Sequence, residues 1–158
     1  TIVQHHPMVP TGREQLIARG LIAGFYANLP TALHLLIPQF ENSLRYVLAA
    51  QGKLVSSLND EGLQKEHGIN KLLYEHEGVL QGMFGEDVVF ALQGLLVEKT
   101  SGDFRNKTMH GLADTASLAS AEALYLWWLF LRVFSTPVMN EWLEAREDGG
   151  NAETDSAS

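Results

Sequence analysis

The chain of 158 residues has no cysteine. That absence removes a disulfide framework, a thiolate metal site and a cysteine nucleophile together, and it fits a reducing compartment, so a cytoplasmic location is expected. Positive charge is also scarce: 11 Lys and Arg stand against 19 Asp and Glu, a formal net charge of −8. Sequence-independent binding of duplex nucleic acid needs a broad cationic face, which this composition does not supply. No basic stretch followed by an apolar core opens the chain, so no secretory leader is read. The first residue is Thr1, and the expectation is a piece of a longer protein with further domains. Strand-like alternation is sparse and no internal repeat is visible. What remains is one domain's length of chain, 46% apolar, enough to bury a core without a metal or disulfide staple.

Residues 1–11 contain Pro7 and Pro10 and read as an extended entry segment. Thr11-Gly12-Arg13-Glu14 has capping-box spacing, and Leu16, Ile17, Leu21 and Phe25 then recur at helical period. A second helix from Pro30 to Gly52 carries Leu33, Leu36, Ile37, Phe40, Leu44 and Leu48, with a kink or break expected near Pro38. Residues 53–68 lack a period and read as loop. Further helices are expected over 69–75, over 79–83, over 86–99, and from Asp103 as cap to a stop at Gly111. A long helix over 117–134 is apolar all round between Leu124 and Leu131, as a buried or subunit-shared helix would be. Glu122 and Arg132 bracket only nine uncharged residues there, against the ~20 that a membrane span needs. A final turn or two is expected over 138–146, then a disordered acidic tail over 147–158. The fold class is all-α, with the helical domain spanning 12–146.

Three groups of residues bear on chemistry. Arg105-Asn106-Lys107-Thr108-Met109-His110-Gly111 gathers two cations, an amide and an imidazole. Asn106 and His110 lie on one helical face; Arg105 and His110 are about 140° of turn apart, so the arginine must reach round or the helix must end within the motif. A histidine at a helix C-terminus is favoured in its protonated form. With a guanidinium that grips phosphate oxygens, it forms a minimal set for metal-free phosphodiester cleavage. The plain alternative is an ordinary helix end with Arg105 paired to a carboxylate. Gln39, Glu41, Asn42 and Arg45 interrupt the second apolar helix, and Glu41 and Arg45 have ion-pair spacing. They make either a surface pair or a shared polar pocket in which Glu41 orients Arg45 or His110. Among the histidines, His5 and His6 have no recurring partner and His34 reads as a core or boundary residue; no metal and no cofactor are expected. Gly20 and Gly24 are spaced for close helix packing.

The Arg105-Asn106-x-x-x-His110-Gly111 segment resembles the RNxxxHG signature of a family of domains of unknown function. That family includes the endoplasmic-reticulum membrane-associated RNA degradation protein. Gly12-Arg13-Glu14, Gly20 to Phe25, Ala32 to Arg45 and Leu124 to Leu131 fit the same pattern, covering most of residues 7–134. More loosely, the Arg-to-His spacing resembles the motif of the higher eukaryotes and prokaryotes nucleotide-binding (HEPN) superfamily. The resemblance implies a bundle of about five helices, a homodimer, and RNA as partner. It implies Arg105 as phosphate clamp, His110 as general acid/base and Asn106 as the residue that positions them. Lys107, Arg45 and Glu41 are taken beside them as candidate substrate-binding residues; Glu41 and Arg45 match the pattern of the first family only, which leaves their role open. A non-catalytic dimerisation or nucleotide-binding domain of the same fold is the alternative, and a membrane-associated bundle a more distant one.

The charge is unevenly spread. Residues 141–158 hold six acidic side chains and only Arg146 as base, leaving the preceding 140 residues with 10 basic and 13 acidic groups. The body is therefore near neutral and able to focus Arg105, Lys107 and Arg45 at one cleft, doubled in a dimer.

Overall fold

The computed structural model describes residues 3, 4, 6–58 and 63–136. Of these residues 67% are helical, with one two-stranded hairpin among them, which places the chain in the all-α class. Helices α1 (Glu14–Phe25) and α2 (Leu29–Ala50) precede strands β1 (Ser56–Leu58) and β2 (Gln64–Glu66). Then come α3 (Ile69–Glu75), α4 (Glu77–Phe84), α5 (Glu86–Leu96), α6 (Phe104–Met109) and α7 (Thr115–Leu118). A last helix, α8, spans residues 121–136 of the described chain.

α2 is the axis. Its apolar positions bury Leu33, Leu36, Ile37, Phe40, Leu44 and Leu48 completely, and its flanks meet α1, α3, α6 and α7. Phe40 packs on Phe130 and Phe134 of α8, with ring centroids 5.0 and 6.3 Å apart. α1 closes on this pair because it presents glycines: a β-carbon on Gly20 would stand 2.6 Å from Leu36 Cγ, and one on Gly24 would overlap the Trp127 indole. The small-residue spacing thus performs the close packing expected of it.

Several expectations need correction. Of the kink or break allowed for near Pro38, the break does not occur, since α2 is one helix over Leu29–Ala50: the ring removes one amide donor, and burial along the rest of the helix outweighs that loss. Residues 53–68 contain the antiparallel hairpin, with Ser57 opposite Lys65; no apolar alternation announces it, since every residue of β2 is exposed. The entry segment is turned rather than extended, with Val9 N–H donating to the His6 carbonyl at 2.9 Å and Val3, Met8 and Val9 buried. The Thr11 capping box does not form: α1 starts at Glu14, with Arg13 at the cap and no side-chain cap bond. The expected long final helix is two, because Asp114 caps α7 through Ser117 N–H at 2.8 Å and Ser120 Oγ caps α8 through Ala123 N–H at 3.1 Å. α8 is not buried all round: Leu124, Tyr125 and Trp128 are 49%, 48% and 43% exposed. The turns expected over 138–146 and the acidic tail lie outside the described residues.

Among the described residues, no single helix is long and apolar enough to cross a membrane. α4 and α5 satisfy length and composition only as a pair, and they are bent by 120° to each other.

Candidate functional site

Glu41 projects from α2 into the angle between the hairpin and α6 and is 8% exposed. A buried carboxylate needs charge partners, and two arginines supply them. Arg45 Nη1, one turn along α2, donates to Oε1 at 2.9 Å, and Arg105 Nε donates to Oε2 at 3.1 Å. Arg45 Nη1 also donates to the carbonyl of His67 at 2.9 Å, and its Nε lies 3.9 Å from Glu66. The cluster therefore ties α2, the end of β2 and α6 together.

α6 is short and sharply bounded. Asp103 enters it in the left-handed region, φ 53°, and its carboxylate makes no bond to a backbone amide of the helix. The carboxylate instead accepts from Asn106 Nδ2 at 2.8 Å, so the expected cap is a side-chain clamp. Asn106 in turn accepts from Arg105 Nη1 at 3.3 Å. The helix ends where the sequence places its end: Gly111 adopts φ +66°, and Leu112 N–H returns to the Lys107 carbonyl at 2.7 Å, closing a Schellman turn.

Arg105 and Asn106 thus stand together, backed by Glu41, on the wall of a groove of about 290 Å³ that Gly68, Asn70, Leu96 and Lys99 also line. Lys107 faces a neighbouring depression that shares Lys99 and adds Ser101, Ser117 and Ser120. His110 sits at the C-cap of α6, exposed, its N–H on the Asn106 carbonyl at 3.0 Å. Among the described residues no hydrogen bond joins its ring to Arg105, Asn106 or Glu41.

The expectations for these residues sharpen in consequence. Glu41 orients Arg45 and Arg105, and no hydrogen bond joins it to His110 among the described residues. The candidate substrate-binding residues Glu41 and Arg45 hold one another at the groove wall, and Arg45 Nη1 also donates to a backbone carbonyl. The plain alternative, Arg105 paired with a carboxylate, is met in part, because that pairing uses Nε and leaves the far edge of the guanidinium at the groove. The sequence alone does not single out Lys99 and Asn70: Lys99 reads as the end of the helix over 86–99, and Asn70, on α3, lines the groove where α3 packs on α5. His34 is exposed, its Nδ1 bonded to the Pro30 carbonyl at 2.7 Å, and is no core residue.

A second cluster has no counterpart in the sequence reading. His67, Glu75 and His76 bring one potential ligand atom each to within 4.8 Å of one another.

No protein-family model matches the chain, and comparison with curated proteins and with solved structures returns no match.

Proposed function

We infer that the chain is a metal-independent endoribonuclease domain of HEPN type, a bundle of about five main helices acting as a homodimer inside a longer protein of the cytoplasm. The observation that carries this reading is the Arg105 guanidinium, fixed from behind by Glu41 at 3.1 Å and from the side by Asn106 at 3.3 Å while facing a groove. An arginine held through Nε keeps one face of its fork for phosphate oxygens, and immobilising it beforehand removes the ordering cost at binding. In this reading Arg105 clamps the phosphate, Asn106 holds Arg105 in place, and Lys99 and Lys107 carry the flanking backbone. His110, free at a helix C-terminus, moves protons. The 2′-oxygen attacks the adjacent phosphorus as its proton passes to a base, the bond to the 5′-oxygen breaks, and that oxygen takes a proton. A cyclic phosphate and a 5′-hydroxyl result. Since one chain offers one exposed His110 and one Arg105, pairing two chains supplies the acid and the base together.

The test is incubation of wild type, Arg105→Ala and His110→Ala with total RNA in EDTA, with the ends mapped. Wild type yields cyclic phosphate ends and both variants lose them with their far-UV circular dichroism intact. Cleavage only on addition of Mg²⁺, or full activity in His110→Ala, defeats the reading, and a monomer in light scattering counts against it.

The exposed face of α8 favours a second reading, a non-catalytic dimerisation or nucleotide-binding domain. Tyr125 stacks on Trp128 with centroids 5.9 Å apart, and Arg132 lies over the Trp128 ring at 5.7 Å. Large aromatic rings and arginine are enriched where chains meet. A dimer without RNA cleavage selects this reading.

A further inference from the structure

His67 follows β2 on the two-residue link to α3, while Glu75 ends α3 and His76 joins it to α4. The hairpin folds back so that these three meet. Each histidine has one nitrogen already assigned. His76 Nε2 lies 3.0 Å from the carbonyl of Leu54, which only accepts, so Nε2 carries the proton and the Nδ1 lone pair is left for another partner. His67 Nε2 lies 3.0 Å from Lys71 Nζ, which only donates, so here Nε2 is the bare acceptor. The same ammonium is 3.7 Å from Glu75 Oε1. One ring nitrogen of each histidine and a carboxylate oxygen of Glu75 lie within 4.8 Å of one another, and the side chain that reaches both His67 and Glu75 is a cation.

We propose that His67, Glu75 and His76 form a divalent transition-metal site, with Zn²⁺ as its ion, which Lys71 shields until the metal displaces it. Two nitrogens and one oxygen are the donor set that suits Zn²⁺ and disfavours Mg²⁺ or Ca²⁺. Three protein ligands leave the fourth tetrahedral position to water. With metal–ligand bonds of about 2.0–2.2 Å the donor atoms stand about 3.4 Å apart, so the present limit of 4.8 Å must close by up to about 1.4 Å. All three residues sit at ends or joints of short elements, where that adjustment is available, and the Lys71 side chain is 41% exposed and free to swing outward. The Leu54 carbonyl then acts as the outer partner that fixes the His76 ring and its tautomer. The ion would clamp the end of the hairpin to the α3–α4 joint. Because the His67 carbonyl receives Arg45 at 2.9 Å, that clamp also steadies the Glu41–Arg45–Arg105 cluster without taking part in any step there.

The tag-free chain is titrated with Zn²⁺ by calorimetry and with Co²⁺ by visible absorption, and each variant's fold is checked by far-UV circular dichroism. The expected result is one ion per chain with the absorption of tetrahedral Co²⁺. Affinity falls at least tenfold in His76→Ala, Glu75→Gln and His67→Ala, and rises severalfold in Lys71→Met, where no ammonium competes. Since His67 is buried, His67→Ala is the variant most exposed to misfolding; His76→Ala and Lys71→Met then decide. Absence of stoichiometric binding in wild type overturns the proposal. So does unchanged affinity in both deciding variants, or binding lost only in a His5→Ala/His6→Ala double variant.

Discussion

Arg105 donates its Nε–H to Oε2 of Glu41 at 3.1 Å across 64 residues of sequence. The bond makes Glu41 the anchor of the groove wall, because the second carboxylate oxygen holds Arg45 at 2.9 Å. Glu41→Gln is therefore expected to leave two partly buried guanidiniums around a neutral amide. Removing one partner of a charged hydrogen-bonded group costs about 1–3 kcal/mol, read as a lower urea midpoint at unchanged slope. Arg45→Met is expected to cost less in the Glu41→Gln background than in wild type, because the two residues act through one network.

The contact between Gly24 and Trp127 makes a second prediction. Trp127 Nε1 donates to the Leu21 carbonyl at 3.3 Å, and Phe25 meets the indole edge-on at 5.1 Å, so the ring is held against α1 from two sides. A methyl group at position 24 has no room unless the helices part. Gly24→Ala is expected to destabilise by about 1–3 kcal/mol, the usual cost of overpacking, visible as a lower midpoint of thermal unfolding. Trp127→Phe in the same chain is expected to restore part of that loss by shortening the ring.

What the sequence discloses follows from how local each interaction is. The buried face of α2 and the stop at Gly111 are written in spacing and in one backbone conformation, so both are legible in the order of residues alone. The pairing of Glu41 with Arg105 is not, since only the packing of α6 against α2 brings the two together. The hairpin escapes for a different reason: Ser56–Leu58 and Gln64–Glu66 are paired by backbone bonds, and the side chains of Gln64, Lys65 and Glu66 are all exposed, so that β2 leaves no apolar pattern. The convergence of His67 with Glu75 and His76 depends on that hairpin and is hidden with it. Arg105, Asn106 and His110 are found by motif, yet their division into a backed guanidinium and an imidazole standing apart from it is a tertiary result.

Tyr74 and Glu98 provide a pH prediction. The hydroxyl donates to Glu98 Oε1, and that bond, with burial and the nearby charges of Glu98 and Glu77, pushes the phenol up to about 12 from an ordinary 10.0. Above pH 10 the unfolded chain gives up this proton while the folded chain keeps it, so the unfolded state binds fewer protons and stability falls as pH rises toward 12. Tyr74 is 41% exposed, so solvent screening leaves only a modest part of the shift as stability. The stability advantage of wild type over Tyr74→Phe is expected below pH 10 and to shrink through pH 12, measured by urea unfolding at each pH.

Gly102 joins the fold to the site. A β-carbon there would stand 2.6 Å from the Leu95 carbonyl oxygen and 3.0 Å from Phe104, and a backbone oxygen at the end of α5 cannot turn aside as a side chain can. The tight approach is what lets the 99–103 turn double back and present α6 with Phe104 buried and Arg105 toward Glu41. Gly102→Ala must push α6 away from α5 or distort the turn, at about 1–3 kcal/mol. Displacement of α6 by a fraction of an ångström also lengthens the Arg105–Glu41 bond. The variant is therefore expected to lose stability and, in the RNA assay, to lose more cleavage than Gly24→Ala at equal destabilisation. Equal losses of cleavage in the two variants would mean that α6 is not positioned through this turn.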